Sequence, residues 1–203
     1  ETALLALLVF LCVRASFQNF RVSGESMYPT LEDGQFVIVN KLIYSEIDTE
    51  KLSRLLPFID PGDDPKKHVF HGPERGDIIV LQDPRPDHNE DLIKRVIALP
   101  GERIAIQNGQ VYINGYLLIE PYITEPWNDN MPEIQLGKDE YFVMGDNRRN
   151  SLDSRSGTVG LIHEDLIIGK AMFSYWPTSH FGFAPNASPK LQKPELTTQR
   201  IGD

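Results

Sequence analysis

Short apolar runs, each bounded by turn residues, occupy most of the chain after Arg21. Their length and their β-branched and aromatic content are typical of strands. The runs are Phe36 to Val39, Asp77 to Leu81, Leu92 to Ile97, Ile104 to Ile106, Val111 to Ile113, Tyr141 to Met144 and Ile167 to Tyr175. Asn108-Gly109 and Asn114-Gly115 separate neighbouring runs and suit two-residue hairpin turns, because Asn and Gly tolerate positive φ angles. We therefore predict a mainly β fold built from antiparallel sheets.

Two segments depart from this strand pattern. In residues 48–56 (DTEKLSRLL), the leucines fall at helical spacing behind Asp48 as a cap, which predicts a short helix. This helix would lie in an insertion of about residues 45–72, whose prolines and aspartates are typical of a surface loop. Residues 185–203 are rich in Pro, Lys, Gln and Thr, which predicts a disordered tail.

The chain opens with an uncharged apolar run from Thr2 to Val13, TALLALLVFLCV. A full membrane span needs ~20 residues, so a signal-peptide core and a buried helix are alternatives to a transmembrane helix. Arg14 interrupts the run and no small-x-small site closes it, which argues against a removable signal peptide. Because Glu1 is not preceded by Met, we expect that the chain begins partway through a longer protein. We predict that residues 1–20 form a retained membrane anchor.

Composition and charge exclude several classes of function. The 203 residues, 40% of them apolar, can build one main domain, expected over residues 21–184. A net charge of -9 would repel a phosphate backbone, so we predict no nucleic-acid partner. Cys12 is the only cysteine, which excludes an intrachain disulfide and a thiolate cluster. His68 and His71 lack an acidic residue at the spacing of a zinc motif, so we predict no metal site.

Ser26, in the segment SGESMYPTL (Ser23 to Leu31), is the candidate nucleophile. Taken alone, this segment is also typical of an ordinary turn. A nucleophilic serine needs a base within hydrogen-bond reach, and none of the five histidines has the local sequence of a catalytic triad. The base must therefore be sought among other side chains.

Lys94, in the strand LIKRVIALPGE (Leu92 to Glu102), is the candidate base. Strand alternation places Lys94 and Arg95 on opposite faces, so we expect one of them to face inward. Burial disfavours the ammonium form, and moving the pKa of lysine from ~10.4 toward 7 requires ~5 kcal/mol. A neutral lysine can deprotonate Ser26. The alternative is an ordinary charge on a solvated strand face.

A dense polar run, GDNRRNSLDSR (Gly145 to Arg155), follows the predicted strand YFVM. The hydroxyl of Ser151 can orient a neutral lysine by accepting a hydrogen from its amine. Asp153 can pair with Arg155 or with Arg95 and so hold the loop in place. A plain hairpin loop is the alternative interpretation.

In their order these segments resemble the bacterial type I signal peptidases, from Ala3 to Trp176. The family's pattern is an apolar anchor, an S-M-x-P-T segment, an R-G-D strand, a K-R strand ending in P-G-[DE], and a G-D-N-x-x-x-S-x-D-S-R loop. The resemblance implies coiled antiparallel β-sheets outside the cytoplasmic membrane, held by a single-pass anchor. It also implies a cofactor-independent Ser-Lys serine endopeptidase that removes signal peptides from exported preproteins at A-x-A sites.

The resemblance also assigns roles to individual residues. Ser26 is then the nucleophile, Lys94 the general base and Ser151 the hydroxyl that positions the lysine. Asp153 and Arg155 are expected to form a structural ion pair. Asp146 and Arg95 are expected to lie near this pair. A lysine base predicts activity at neutral to alkaline pH.

Apolar residues at matching positions are expected to form the walls of the substrate pocket. They would accept small side chains at positions -1 and -3 of the substrate and exclude bulky ones. These residues are Phe20, Val22, Met27, Leu31, Leu92 and Ile93. Gly24 stands where some family members carry a serine that helps to bind the oxyanion, so we expect the N–H of Ser26 to be the main oxyanion donor. Whether a second oxyanion donor exists is left open by the sequence.

Two other hypotheses have to be weighed. A self-cleaving Ser-Lys repressor-type protease would need a DNA-binding region and an internal Ala-Gly-like site, and neither is visible. A membrane-tethered β-domain that binds a partner would have no need of both Ser26 and Lys94.

The orientation in the membrane is a separate question. The positive-inside tendency of Arg14 and Arg21 would place the main domain in the cytoplasm, whereas the family places it on the extracytoplasmic side, with membrane lipid and preproteins as partners. We follow the family.

Overall fold

The structure is a computed structural model that describes residues 2–48, 66–68 and 70–193. Its elements begin with helix α1 (Thr2–Ser16). The strands of the described residues are β1 (Phe17–Arg21), β2 (Phe36–Asn40), β3 (Glu46–Asp48), β4 (Lys66–His68), β5 (Ile78–Gln82), β6 (Asp91–Ala98), β7 (Arg103–Gln107), β8 (Gln110–Ile113), β9 (Tyr116–Ile119), β10 (Met131–Gln135), β11 (Glu140–Met144), β12 (Ile162–His163), β13 (Ile167–Trp176), β14 (Gly182–Phe183) and β15 (Lys190–Gln192). Single turns of 3-10 helix cover Glu164–Leu166 and Thr178–His180.

Within the described residues the strands form two large sheets and one small one. The first has eight strands in the order β1-β2-β13-β5-β6-β11-β12, with β14 also paired to β13. The second has the order β10-β7-β8-β9-β15, and β3 pairs with β4 alone. Every pair for which a register is defined is antiparallel. The mainly β, antiparallel fold predicted from the sequence is therefore confirmed.

Both faces of the first sheet are covered by apolar side chains at its centre. On β5, Ile78 and Val80 pack in one cluster with Val37 and Ala171. The alternate residues Ile79 and Leu81 belong to a second cluster on the other face. A third cluster joins β6 and β11 to the second sheet. Strands buried on both faces carry continuous apolar runs, which is why β5 reads IIVL.

The two Asn-Gly pairs form the predicted hairpin turns. Asn108 and Gly109 have φ of 49° and 74° between β7 and β8, and Asn114 and Gly115 have φ of 51° and 82° between β8 and β9. A type I′ hairpin turn needs positive φ at both central residues, and Asn-Gly tolerates this at low cost. The meander of the second sheet thus follows directly from the sequence.

Helix α1 presents its apolar side chains to solvent, Leu4, Leu8 and Phe10 among them. It is 15 residues long and leads directly into β1. A helix with the length and apolar character of a membrane span is not found among residues 2–48, 66–68 and 70–193.

The structure bears on two other predicted segments. The predicted helix over residues 48–56 lies outside the described residues except for Asp48, which ends β3. The predicted disordered tail does not begin at Pro185, because residues 185–193 are ordered. The side chain of Asn186 accepts a hydrogen bond from Ile78 N at 2.7 Å and donates to Ala171 O at 2.9 Å, and β15 pairs with β9. These long-range hydrogen bonds offset a composition that would otherwise favour disorder.

Candidate active site

Ser26 lies in a turn between β1 and β2 that two buried side chains hold against the first sheet. Tyr28 N donates to Glu25 O at 3.1 Å and Leu31 N donates to Met27 O at 2.9 Å, which gives the turn its shape. The side chains of Met27 and Leu31 are buried in the same cluster as Val37 and Ala171. Burial of these two apolar residues holds the turn against the sheet, so Ser26 has a defined position.

Lys94 reaches Ser26 from the middle of β6. Its side chain is only 3% exposed, and Nζ donates hydrogen bonds to Ser26 Oγ at 2.8 Å and to Ile93 O at 3.0 Å. Burial lowers the pKa of Lys94 to about 8, although the negative charge of Asp153 works in the opposite direction. A large fraction of the amine is therefore neutral in mildly alkaline solution, in contact with a serine hydroxyl.

The loop from Gly145 to Arg155 packs directly against the backbone of Ser26. Asn147 N donates to Ser26 O at 3.0 Å, and the side-chain amide of Asn147 donates to Glu25 O at 3.1 Å. Gly145 sits so close that an added Cβ would lie 2.3 Å from Ser151 Oγ and 2.4 Å from Ser26 O. Only glycine fits here without displacing the serine segment, because real Cβ atoms do not approach other atoms so closely.

Arg95 and Asp146 form a buried ion pair beneath the site. Arg95 Nε donates to Asp146 Oδ1 at 2.8 Å and Arg95 Nη2 donates to Oδ2 at 2.6 Å. Thr30 donates to the same carboxylate, and Arg95 Nη1 donates to Gly76 O at 2.7 Å. This pair thus connects four segments of the sequence: the serine segment through Thr30, the R-G-D segment (residues 75–77) through Gly76, the lysine strand through Arg95 and the polar loop through Asp146.

The sequence predicted that one of Lys94 and Arg95 faces inward, and the structure buries both. Arg95 is 0% exposed, and its guanidinium stacks on the ring of Tyr122 at 4.0 Å from the centroid. The reason is that β6 is packed on both faces: Ile93 contacts the cluster that contains Val37, and Val96 belongs to the cluster that contains Leu81. A buried arginine is tolerated because Asp146 and backbone carbonyls satisfy its donors.

Asp153 and Arg155 form a second, separate ion pair. Arg155 Nε donates to Asp153 Oδ1 at 2.8 Å, and Gly145 N donates to Asp153 Oδ2 at 3.0 Å. Burial would raise the pKa of Asp153, but the hydrogen bonds and charge of Arg155 outweigh it and lower the pKa. Asp153 therefore stays ionised and holds the start of the loop. Asp153 pairs with Arg155, and Arg95 pairs with Asp146 instead.

The structure does not join Ser151 to Lys94 by a hydrogen bond. Ser151 Oγ is buried without a close hydrogen-bond partner among the described groups, and its nearest acceptor is Asp153, whose pKa it helps to lower. It lies next to Gly145, which separates it from the backbone of Ser26. A buried hydroxyl without a partner is costly, so this atom is available for a polar partner at the site.

A cavity of about 220 Å³ opens beside Ser26 and Lys94. Phe20, Val22, Leu92 and Ile93, four of the residues expected to bind substrate, line this cavity. Met27 and Leu31 do not line it, since they belong to the core beneath the turn. Gly24 is also absent from the wall; it has φ of 80°, and its N–H donates to Asp33 Oδ1 at 2.8 Å.

Sequence reasoning missed several residues of the cavity wall. Leu152 comes from the polar loop, and Arg85, Glu90 and Asp91 add charge at the wall. Arg85 donates from Nε to both oxygens of Asp83, at 2.9 and 3.0 Å. No sequence motif marks Arg85, Glu90 and Asp91, because they reach the cavity only through the pairing of β5 with β6 and the loop that joins them.

Arg148 is a further buried charge that the sequence did not single out. Its guanidinium donates to both carboxylate oxygens of Glu120 and lies over the ring of Trp127. It also donates to the backbone oxygen of Gly145 at 3.2 Å, and Gly145 itself packs against the backbone of Ser26. Among the described residues no three His, Cys, Asp or Glu side chains are grouped as metal ligands would be.

Comparison with known proteins identifies the family of the chain. The family model described as "Signal peptidase, peptidase S26" matches residues 1–176. A probable signal peptidase I-1 of Synechocystis sp. is 37% identical over 167 residues, covering 79% of this chain and 72% of that protein. A signal peptidase I of Bacillus caldolyticus is 36% identical over 196 residues, covering 86% of this chain and 91% of that protein.

A solved structure of a signal peptidase I from Enterococcus faecalis V583 is also similar, at 31% identity. It aligns with a TM-score of 0.41 and covers 49% of this chain and 97% of that chain. The family model spans most of the sequence, and the relatives exceed 30% identity over more than two thirds of it. The chain therefore belongs to the signal peptidase family, peptidase S26, and is a serine endopeptidase.

Proposed function

We propose that this chain removes signal peptides from exported preproteins, with Ser26 as the nucleophile and Lys94 as the general base. The observation that carries the proposal is the 2.8 Å contact between Lys94 Nζ and Ser26 Oγ in a buried setting. The lowered pKa of Lys94, about 8, supports it, because only the neutral amine can take a proton. The membership of the family supports the substrate class.

The reaction then proceeds through an acyl-enzyme. Neutral Lys94 accepts the proton of Ser26 as Oγ attacks the carbonyl carbon of the scissile peptide bond, which gives a tetrahedral intermediate. The lysine ammonium next donates this proton to the leaving amine, and the C–N bond breaks. A water molecule attacks the ester, Lys94 takes its proton, and the proton returns to Ser26 Oγ as the signal peptide is released with a free carboxylate.

The developing oxyanion needs a hydrogen-bond donor close to the nucleophile. We assign this role to the backbone N–H of Ser26, for which the described part of the chain provides no other acceptor. Ser151 would stabilise the base, because its Oγ, which has no close hydrogen-bond partner, can accept a hydrogen from the neutral amine of Lys94. Both assignments are part of the proposal.

Substrate choice would follow from the wall of the cavity. Phe20, Val22 and Ile93 present apolar groups beside the nucleophile, and a volume of about 220 Å³ suits small side chains. Preproteins with an A-x-A site fit this description, because an alanine fills little space and has no polar group to desolvate.

We further propose that the chain is anchored in the cytoplasmic membrane by a single segment that includes α1, with the β-sheets on the extracytoplasmic side. The exposed apolar side chains of α1 support this, because apolar surface of this extent on a helix is costly in water. The family membership and the substrate class point the same way, since signal peptides are inserted in membranes.

The test is cleavage of a preprotein with an A-x-A site by the purified chain in a fixed detergent. Ser26→Ala and Lys94→Ala should each lose cleavage while keeping the wild-type circular dichroism spectrum. The matched controls are Ser179→Ala and Lys138→Ala, which alter residues away from the cavity and should cut at the wild-type rate. Cleavage by Lys94→Ala would eliminate the lysine base, and an inactive wild type would favour a binding module instead.

A further inference from the structure

A second cavity lies where α1 meets β1, at the edge of the first sheet. Its volume is about 540 Å³, within the range of ligand sites in proteins. It is lined by Val13, Arg14, Phe17, Gln18, Asn19 and Lys41. The signal-peptide chemistry proposed above uses none of these residues, and the cavity is separate from the one beside Ser26.

The chemistry of the lining is amphipathic and positively charged. Arg14 and Lys41 are exposed, and neither forms an ion pair with a carboxylate in the part of the chain that the structure describes. No acidic side chain contributes to the wall, although the whole chain carries a net charge of -9. Two unpaired cations in a strongly acidic protein favour an anionic ligand, because the remaining surface repels one.

The position of the cavity indicates which class of anion would bind there. Arg14 lies in the last turn of α1, directly after the apolar run that carries exposed Leu8 and Phe10. A ligand bound to Arg14 and Lys41 could therefore extend an acyl chain along the same apolar helix. Gln18 and Asn19 add side-chain amides that can bond a phosphate or a polyol. A phospholipid combines these features, whereas a free phosphate ion would use only the charged end.

We propose that the cavity formed by Arg14, Lys41, Gln18, Asn19, Val13 and Phe17 binds the headgroup of an anionic phospholipid. The proposal rests on the membrane anchoring proposed above. A headgroup held here fixes the start of β1, whose five residues span ~17 Å toward the Ser26 turn. Lipid binding would thereby orient the candidate active site relative to the membrane surface.

The test measures binding of short-chain soluble lipids to the full chain in a neutral detergent by titration calorimetry. Dihexanoyl phosphatidylglycerol should bind more tightly than dihexanoyl phosphatidylcholine. Each basic residue near an anionic headgroup contributes about fivefold in affinity, so Arg14→Gln/Lys41→Gln should lose the preference by roughly 25-fold. The matched control is Lys138→Gln/Lys190→Gln, which removes the same charge from exposed positions outside the cavity and should keep the preference.

Several outcomes would overturn the proposal. Equal affinity for the two lipids would do so, as would an equal loss in the control variant, because that result would reflect net charge alone. Displacement of the lipid by inorganic phosphate at similar concentration would show a phosphate-ion site instead. Cleavage of a soluble peptide by Arg14→Gln/Lys41→Gln at the wild-type rate verifies that the variant is folded.

Flotation of the wild type with phosphatidylcholine vesicles tests the anchor separately. Failure to float would contradict the anchoring proposal, while the calorimetry with soluble lipid would still decide whether the cavity binds the headgroup. Loss of preprotein cleavage in Ser26→Ala tests the catalytic proposal and affects neither the flotation nor the calorimetry. Each of the three proposals thus has a measurement of its own, and their failures can be told apart.

Discussion

Replacing Lys94 with methionine should stabilise the protein while destroying its activity. Methionine has a similar length and shape but needs no proton and no solvation, and Lys94 is only 3% exposed. In the folded protein burial lowers the pKa of Lys94 from 10.5 to about 8. At about 1.4 kcal/mol per pH unit, this shift corresponds to a cost of about 3 kcal/mol for folding with a charged lysine.

The sign and the pH window follow from proton binding. Between pH 8 and 10.5 the unfolded chain binds more protons at Lys94 than the folded chain, so the wild type gains stability as the pH rises. The full penalty is present below pH 8 and is absent above 10.5. Methionine leaves Ser26 Oγ without its donor, which costs about 1 kcal/mol. The variant should therefore be about 2 kcal/mol more stable at pH 6, and this advantage should disappear by pH 10.5.

The assay is urea unfolding in a fixed detergent, followed by tryptophan fluorescence, at pH 6, 8 and 10.5. The quantity compared is the free energy of unfolding of Lys94→Met minus that of the wild type. Lys138→Met, at an exposed position, serves as the control and should show no such difference. A difference for Lys94→Met that stays constant across the three pH values would refute the reasoning, because it would mean that burial does not perturb the lysine.

Three further results are expected. The rate constant kcat/KM on a preprotein should rise about tenfold per pH unit below pH 8 and level off above it, since Lys94 must be neutral; a maximum below pH 6 would exclude a lysine base. Gly145→Ala should lower kcat by at least about a hundredfold, because its Cβ would displace the nucleophile, while Gly157→Ala, with open space around it, should cut normally. Arg95→Met should lower the free energy of unfolding by about 3–5 kcal/mol by leaving Asp146 buried and unpaired, and Arg95→Met/Asp146→Leu should recover much of it in urea unfolding; no recovery would speak against the buried pair.

Local patterns in the sequence were enough to predict the central strands and the two Asn-Gly turns, although strands such as β9 and β10 were not predicted. The apolar runs of β5 and β6 and the Asn-Gly turns at Asn108 and Asn114 all depend on neighbouring residues, whose conformational preferences are fixed by covalent geometry. The candidate dyad was predicted as well, because the order of short motifs resembled one family. The distance between Ser26 and Lys94 was then supplied by the fold.

Other features were beyond the reach of local patterns. Composition predicted a disordered tail from Pro185, but Asn186 bonds to β13 and to β5, the latter more than a hundred residues away in sequence. The pocket wall was predicted only in part, because Met27 and Leu31 turned inward to the core while Leu152 arrived from another loop. An apolar residue looks the same in the sequence whether it lines a cavity or fills a core.

The sequence by itself determined the class of fold and the hairpin turns, and it supplied the candidates Ser26 and Lys94, because these depend on periodicity and on residue chemistry. Only the tertiary structure decided that both Lys94 and Arg95 are buried and that Arg95 belongs to Asp146. It also decided the pKa of Lys94. These properties arise when β6 is covered from both sides by segments distant along the chain, and desolvation and pairing exist only once those segments have packed.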